Sequence, residues 1–158
     1  MLEGNIKRYT IKWIKGYPYI YVWVYKSSES VSLRRETAMR NKKKYSNKTA
    51  NYFESLGIKK GDTVMLVLKR HYQFWFCMLA LHKIGAIAIP ATNQLVEHDF
   101  DYRYKAAKVK AVVCTADGEV STEAEKAAAN YHGMIKVLVG GEKEGWHTFN
   151  VEMERFST

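Results

Sequence analysis

The 158-residue sequence has little proline, little cysteine and no long apolar run. Two prolines and a 47% share of apolar residues indicate a globular chain rather than a disordered one. Within residues 57–95 the longest strictly apolar run is Phe74–Leu81, which is far too short to cross a bilayer. No basic and apolar leader with a small-residue cleavage site opens the chain. We therefore expect one domain-sized body that is not secreted and has no membrane span.

The sequence also lacks the side-chain patterns of a self-contained active site or metal site. Cys77 and Cys114 lie inside apolar runs, so we expect small core residues in a reducing, cytoplasmic compartment and no disulfide framework. His98, His132 and His147 are scattered without metal-ligand spacing. No nucleophile stands beside a base. We predict no catalytic residue and no metal ligand in this chain.

Acidic residues are scarce in one part of the chain only. The formal net charge is +9, and residues 1–44 hold 11 lysines and arginines against 3 acids, whereas residues 45–158 hold 14 against 13. The basic excess therefore belongs to the first segment. A basic arm can bind phosphate backbones, so a small nucleic-acid-binding module is one alternative function.

Helices and strands alternate along residues 45–158. Four continuous apolar runs predict strands: TVMLVL, AIAI, AVVCT and IKVLV. Such runs, separated by helices, favour a mostly parallel sheet with helices on both faces. Ligands of these sheets bind beyond the carboxyl ends of the strands, which here lie at Lys69–Arg70, Pro90–Gln94 and Thr115–Glu119.

The predicted helices differ in character. Apolar residues from Tyr45 to Leu56 form one helical face that Gly57 ends. The helix at His71–Ile84 is apolar all round, so we expect it to be covered on most sides. A third helix is predicted at Glu97–Lys108. A fourth is expected to begin with a capping box of Thr122 and Glu125, to include Tyr131 and to end at Gly133, and a short final helix follows Trp146.

The segment before Tyr45 gives weaker patterns. Tyr19–Tyr25 alternates aromatic and β-branched residues, which predicts a strand. SSESVS is predicted to be a loop, and the basic run that follows it is compatible with a helix. We divide the chain into a poorly matching basic segment, residues 1–44, and an incomplete α/β subdomain, residues 45–158.

Four stretches resemble the amino-terminal part of acyl-CoA synthetases: GIKKGDTVMLVLKR, FWFCMLALHKIGAIAIPATNQL, DFDYRYKAAKVKAVVC and EGWHTF. These enzymes form part of the adenylate-forming, or AMP-binding, superfamily. The five residues PATNQ followed by DFDYR are most similar to medium-chain acyl-CoA synthetases and acetyl-CoA synthetase-like proteins. The resemblance covers residues 45–158 and implies part of the large amino-terminal α/β domain of acetyl-CoA synthetase-like enzymes.

The resemblance also implies a reaction and its cofactors. Family members activate a short- or medium-chain carboxylic acid with ATP and magnesium to an acyl-adenylate, and transfer the acyl group to coenzyme A. The glutamine that matches Gln94 contacts coenzyme A in medium-chain synthetases, so Gln94 is the cofactor-binding residue that we predict. The family's Ser/Thr/Gly-rich phosphate loop is absent, since GGEKEG lacks hydroxyls and reads as a surface turn.

We therefore expect an amino-terminal fragment of a longer ligase, inactive alone, with no tightly bound cofactor and with the missing remainder of the enzyme as its partner. Arg70 and His71 at the end of the first strand could meet a phosphate, although a solvated helix start is the simpler interpretation. Asp117 is interpreted first as a turn residue. A non-enzymatic α/β docking domain is the third alternative function.

Overall fold

Two sheets are present in the part of the chain that the computed structural model describes, residues 6–10, 21–25, 30–69 and 71–157. The first sheet is a pair of antiparallel strands, β1 (Ile6–Thr10) and β2 (Tyr21–Tyr25), with Ile6 opposite Tyr25. The strand predicted at Tyr19–Tyr25 is confirmed from Tyr21 onward, and its first two residues lie outside the described ranges.

A 26-residue helix, α1 (Ser30–Ser55), follows this pair. The predicted loop SSESVS is wrong from Ser30 onward, because the helix already begins there. By internal contacts the chain divides into two compact units, residues 1–41 and 42–158, and α1 contributes to both. The apolar face predicted for its second half is confirmed, since Tyr52 and Phe53 are fully buried. Gly57 has a φ of 87°, the left-handed conformation that ends such a helix.

Five parallel strands form the second sheet, in the order β4-β3-β5-β6-β7. The elements follow one another as β3 (Thr63–Val67), α2 (Gln73–Ile84), β4 (Ile87–Pro90), α3 (Glu97–Ala107), β5 (Val109–Thr115), α4 (Val120–Ala128), β6 (Ile135–Val139), β7 (His147–Thr148), α5 (Phe149–Glu152) and a 3₁₀ turn at Met153–Arg155. The predicted parallel α/β sheet is confirmed, and β7 is a strand that the sequence analysis missed.

Helices cover both faces of this sheet, as predicted. Successive strand residues point to opposite faces, so Val64 and Leu66 of β3 pack with α1, α2 and α5, whereas Met65 and Val67 pack with α3 and α4. The two free cysteines are divided in the same way. Cys77 belongs to the first core and Cys114 to the second, and burial raises the pKa of the Cys114 thiol to about 12. The sheet therefore separates the two thiols.

Burial on α2 and β4 is less complete than their apolar sequences suggest. Trp75 and Leu79 on α2 are 54% and 37% exposed, so this helix is covered on most sides, as expected, but is open on one. Ile87 on β4 is 53% exposed, because β4 is an edge strand that pairs with β3 alone among the described strands. An apolar run alone does not distinguish an edge strand from a central one.

No helix of the described ranges has both the length and the apolar character that a membrane span requires.

The predicted capping box of α4 is also wrong. The helix begins at Val120 and ends at Ala128, so Tyr131 and Gly133 lie in the turn beyond it. Glu125 instead accepts hydrogen bonds from three side chains, Lys136 Nζ at 3.1 Å, Lys143 Nζ at 2.8 Å and Trp146 Nε1 at 3.0 Å. Both lysine nitrogens also lie 5.6 Å from the centroid of the buried Trp146 ring. This cluster ties α4 to β6 and to the turn before β7.

The Glu125 cluster has a clear electrostatic consequence. Burial raises the pKa of Glu125, but the hydrogen bonds from Lys143, Trp146 and Lys136 outweigh that effect and hold the pKa at about 2, below the ordinary 4.5. Because the folded pKa is lower than the unfolded one, the carboxylate stabilises the fold fully above about pH 4.5. That stabilisation is lost as the pH falls toward about 2.

We predict that Glu125→Gln lowers the free energy of unfolding at pH 7 by about 1–2 kcal/mol, since charge-assisted hydrogen bonds to two lysines are lost. The difference from wild type shrinks below about pH 4.5 and vanishes near pH 2. Urea denaturation followed by circular dichroism across this pH range measures it. Glu144→Gln, on an exposed turn residue, is the matched control and changes stability by less than about 0.5 kcal/mol. A pH-independent difference for Glu125→Gln contradicts the prediction.

The loops after β5 and β6 approach each other closely at the carboxyl edge of the sheet. Ala116 N donates to Val139 O at 2.9 Å, and a Cβ added to Gly141 would lie 2.7 Å from Ala116 Cβ. Real Cβ atoms essentially never come that close, and the methyl of alanine has no rotamer by which to move away. Only glycine therefore fits at residue 141 without a backbone shift.

We predict that Gly141→Ala destabilises the fold by about 1–3 kcal/mol through this overpacking. Thermal denaturation measures the effect. Ala116→Gly removes the opposing methyl, so Gly141→Ala is expected to cost little stability in that background. The double variant Ala116→Gly/Gly141→Ala should then be nearly as stable as Ala116→Gly alone. Additive effects of the two substitutions would show that the close contact is not the cause.

Candidate functional site

An open crevice of about 570 Å³ lies where β3 and β4 end side by side. Leu66 is paired with Pro90 at this edge, and Ala91 N donates to Leu66 O at 2.9 Å. Beyond these residues the crevice separates Lys69 from the loop Ala91–Gln94. The chain leaves β3 toward α2 on one face of the sheet and leaves β4 toward α3 on the other. Parallel α/β sheets bind ligands at such reversals, so this crevice is the candidate site.

Gln94 lines the crevice and its side chain is exposed. Its backbone N–H donates to Thr92 Oγ1 at 3.3 Å, which holds the turn of the loop. The carboxamide makes no hydrogen bond to any other described residue, so its oxygen and its N–H₂ group are both available to a ligand. The role that the sequence predicts for Gln94, a contact to coenzyme A, stays a prediction.

Lys69 supplies the positive charge of the crevice, and the sequence analysis did not single it out. It is the exposed residue that follows Leu68, just beyond the buried part of β3, and it lines the same crevice as the loop of Gln94. The ammonium group offers three donors to an anion. The signal that could have identified Lys69 is its place at the carboxyl end of a strand next to the loop of Gln94. Arg70, which the sequence analysis named with His71 as able to meet a phosphate, lies outside the described ranges.

His71 belongs to a separate cluster that joins the ends of β3 and β5. Its Nε2 lies 2.7 Å from Thr115 Oγ1 and 3.1 Å from Asp117 Oδ2, and Asp117 N donates to the same threonine hydroxyl at 3.0 Å. Thr115 is fully buried, and a Cβ added to Gly140, after β6, would lie 3.5 Å from His71 Cε1. These bonds make His71 and Asp117 side chains that fix the edge of the sheet, which agrees with the turn interpretation of Asp117.

The described residues provide no metal-ligand cluster. No group of three or more His, Cys, Asp or Glu side chains among them could hold a metal ion. His98 and His147 each contact one carboxylate, of Asp99 and Glu152. The buried thiols of Cys77 and Cys114 have raised pKa values because of burial, so neither is an available nucleophile. The groups that the crevice offers are therefore the Lys69 ammonium group and the Gln94 carboxamide, which can bind and orient an anionic or amide-bearing ligand.

Comparisons with known proteins give a consistent set of relatives. Acyl-coenzyme A synthetase ACSM5, mitochondrial, of Mus musculus is 34% identical over 109 residues, which cover 67% of this chain and 18% of that protein. Crotonobetaine/carnitine--CoA ligase of Citrobacter koseri is 34% identical over 94 residues, which cover 60% of this chain and 18% of the relative. The chain therefore spans about a fifth of the length of these curated relatives.

Solved structures support the fold. The anthranilate CoA ligase AuaEII, solved in complex with anthranoyl-AMP, aligns with a TM-score of 0.66 at 21% identity, over 72% of this chain and 22% of that chain. A benzoate CoA ligase from Burkholderia xenovorans LB400 aligns with a TM-score of 0.60 at 16% identity over the same shares. At these identities the similarity concerns the fold alone, and it confirms the α/β architecture expected from the sequence.

The family model described as AMP-binding enzyme matches residues 8–154. The match therefore includes most of the basic segment, residues 1–44, and the whole parallel sheet. It covers the crevice residues Lys69 and Gln94 as well. Because the match extends over nearly the full length, the chain belongs to the AMP-binding enzyme family.

Proposed function

We propose that this chain is the amino-terminal part of an AMP-forming acyl-CoA synthetase, an acid–thiol ligase that acts on a short- or medium-chain carboxylic acid. In that reaction the carboxylate attacks the α-phosphate of ATP, which forms an acyl-adenylate and releases pyrophosphate. The coenzyme A thiolate then attacks the acyl carbon and AMP leaves. The family match over residues 8–154 is the observation that carries the proposal, and the named functions of the CoA ligase relatives supply the substrate class.

Coenzyme A is the ligand that we assign to the crevice between Lys69 and Gln94. The residues present fit part of such a ligand, because an open carboxamide can both donate and accept while an ammonium group attracts phosphate. When bound, coenzyme A supplies the thiol that accepts the acyl group. Gln94 and Lys69 contribute binding and orientation only.

Magnesium and the triphosphate of ATP do not fit the described residues. These residues hold no cluster of three metal ligands, and the sequence has no Ser/Thr/Gly-rich loop that ends in lysine. This part of the enzyme is therefore assigned no role in holding magnesium. The groups that carry out adenylation are assigned to the remainder of a longer polypeptide, which is the partner that we propose for this chain.

The alternatives are weaker on physical grounds. The nucleic-acid-binding module depends only on the charge of residues 1–44, and the relatives reported above give it no support. A docking domain without enzymatic function needs no ligand-binding crevice. It therefore does not explain why the exposed Gln94 and Lys69 line a crevice at the point where the chain leaves neighbouring strands toward opposite faces of the sheet. We propose the cytoplasm as the compartment, on the two buried free thiols alone. Fractionation tests this, since relatives such as the Mus musculus synthetase are named as mitochondrial.

We predict that the 158-residue chain alone does not catalyse ATP–pyrophosphate exchange, because its described residues hold no metal-ligand cluster and its sequence has no Ser/Thr/Gly-rich loop that ends in lysine. The exchange assay with a panel of short- and medium-chain acids measures this. The same panel, applied to a polypeptide that continues into a Ser/Thr/Gly-rich loop ending in lysine, is expected to give exchange. Exchange by the 158-residue chain would contradict the prediction.

We predict that Gln94→Ala in the active longer enzyme raises the KM for coenzyme A about two- to tenfold, the equivalent of one uncharged hydrogen bond. Pyrophosphate exchange, which needs no coenzyme A, stays unchanged. Steady-state thioester formation and the exchange assay separate the two half-reactions. His98→Ala, at an exposed side chain on α3 that does not line the crevice, is the control and changes the KM less than about twofold. Equal losses in both half-reactions would indicate a structural role for Gln94.

A further inference from the structure

A second open cavity, of about 520 Å³, lies at the opposite edge of the parallel sheet, where β5 and β6 begin. The end of α3, the first residues of β5 and the turn after α4 form its walls. Lys105, Lys108, Lys110 and His132 line it, and none of its lining residues is acidic. We propose that this basic cavity binds a compact phosphate-bearing anion, a phosphomonoester or a diphosphate.

The charges of this cavity are only partly compensated within the protein. Lys110 Nζ lies 2.6 Å from Asp62 Oδ2 and also donates to Gly57 O, so its charge is paired. Lys105 and Lys108 are exposed and take part in no ion pair between described residues. Asp101, one turn before Lys105 on α3, accepts a hydrogen bond from the Tyr131 hydroxyl at 3.0 Å and forms no ion pair with either lysine among the described contacts. Two positive charges therefore face the cavity without a paired carboxylate.

The backbone of Lys108 is a second, independent observation. Its φ is 47°, and it is the one non-glycine residue with a positive φ among the described residues. This is the left-handed cap of α3, where glycine is the usual residue and where a side chain costs free energy. The helix dipole favours a cation in the last turn, but Lys105 already occupies that turn. Lys108 adds a second ammonium group to the lining of the cavity, where a bound anion would contact it.

The remaining lining groups define the ligand class. Asn130 and His132 are exposed and add polar hydrogen-bond donors, while the ring of Tyr104 and the side chain of Met134 provide an apolar wall. Two unpaired ammonium groups favour an anion with at least two charges, because each charge-assisted hydrogen bond adds to the affinity. A phosphomonoester or a diphosphate has this charge in a small volume. The cavity lies at the amino ends of the strands, so this site is distinct from the crevice of Gln94 at their carboxyl ends.

The test is a titration of the ¹⁵N-labelled 158-residue chain with inorganic pyrophosphate at low salt, followed by amide chemical shifts. Saturable shifts are expected at Lys105, Lys108 and Gly133. The double variant Lys105→Ala/Lys108→Gly is expected to bind at least about tenfold more weakly at these amides, since two charge-assisted contacts are lost. Glycine suits the left-handed cap, so this variant is expected to melt no earlier than wild type.

The matched control is Lys42→Ala/Lys43→Ala, which removes the same net charge from exposed residues of α1. Its effect on pyrophosphate binding is expected to be less than about twofold, because distant exposed charges are screened. Equal weakening by both double variants, or no saturable shift at the cavity amides, would overturn the proposal. Should the glycine variant fold poorly, Lys105→Glu alone decides the question, because it reverses a charge at an exposed helical residue. Unchanged affinity in Lys105→Glu would likewise overturn the proposal.

Discussion

The structure depends on one constraint, that β3, β5 and β6 are apolar on both sides and must be kept from water on both faces of the sheet. In β3 every residue is buried, and its alternate side chains belong to two different cores. A parallel sheet can meet this requirement only if its connecting helices are divided between the faces. α1, α2 and α5 cover one face, and α3 and α4 cover the other.

That division of the helices creates the candidate site. Because the chain leaves β3 and β4 toward opposite faces, neither α2 nor α3 closes the gap between the ends of these strands, and an open crevice lined by Lys69 and Gln94 lies there. Next to it the ends of β3 and β5 are joined by His71, Thr115 and Asp117. The side chains that fix the edge are thus separate from those that stay available to a ligand. This arrangement suits a part of an enzyme that binds and orients, while other segments perform the chemistry.

Polar contacts determine how the outer elements attach to the sheet. Glu125 joins α4 to β6 through Lys136 and to the turn before β7 through Trp146. The Tyr131 hydroxyl joins the turn after α4 to α3 through Asp101. Each carboxylate also has a potential partner nearby in sequence, which is the start of α4 for Glu125 and Lys105 on the same helix for Asp101. In the structure each carboxylate instead accepts a hydrogen bond from a residue far along the chain. The partner is remote in sequence, so local patterns do not reveal it.

Local sequence patterns alone predict the parallel α/β architecture, the end of α1 at Gly57 and a ligand site at the carboxyl ends of the strands. These features follow from local periodicity, from glycine at left-handed positions and from the rule that ligands bind at the carboxyl ends of parallel strands. Tertiary structure alone decided that β4 is an edge strand, that Trp75 and Leu79 are exposed, and that Glu125 binds Trp146 rather than capping its helix. It also brought Lys69 to the loop of Gln94 and gathered Lys105, Lys108 and His132 around one cavity. The physical reason is that strand order and side-chain partners are set by the packing of residues far apart along the chain, which hydrophobic periodicity does not specify.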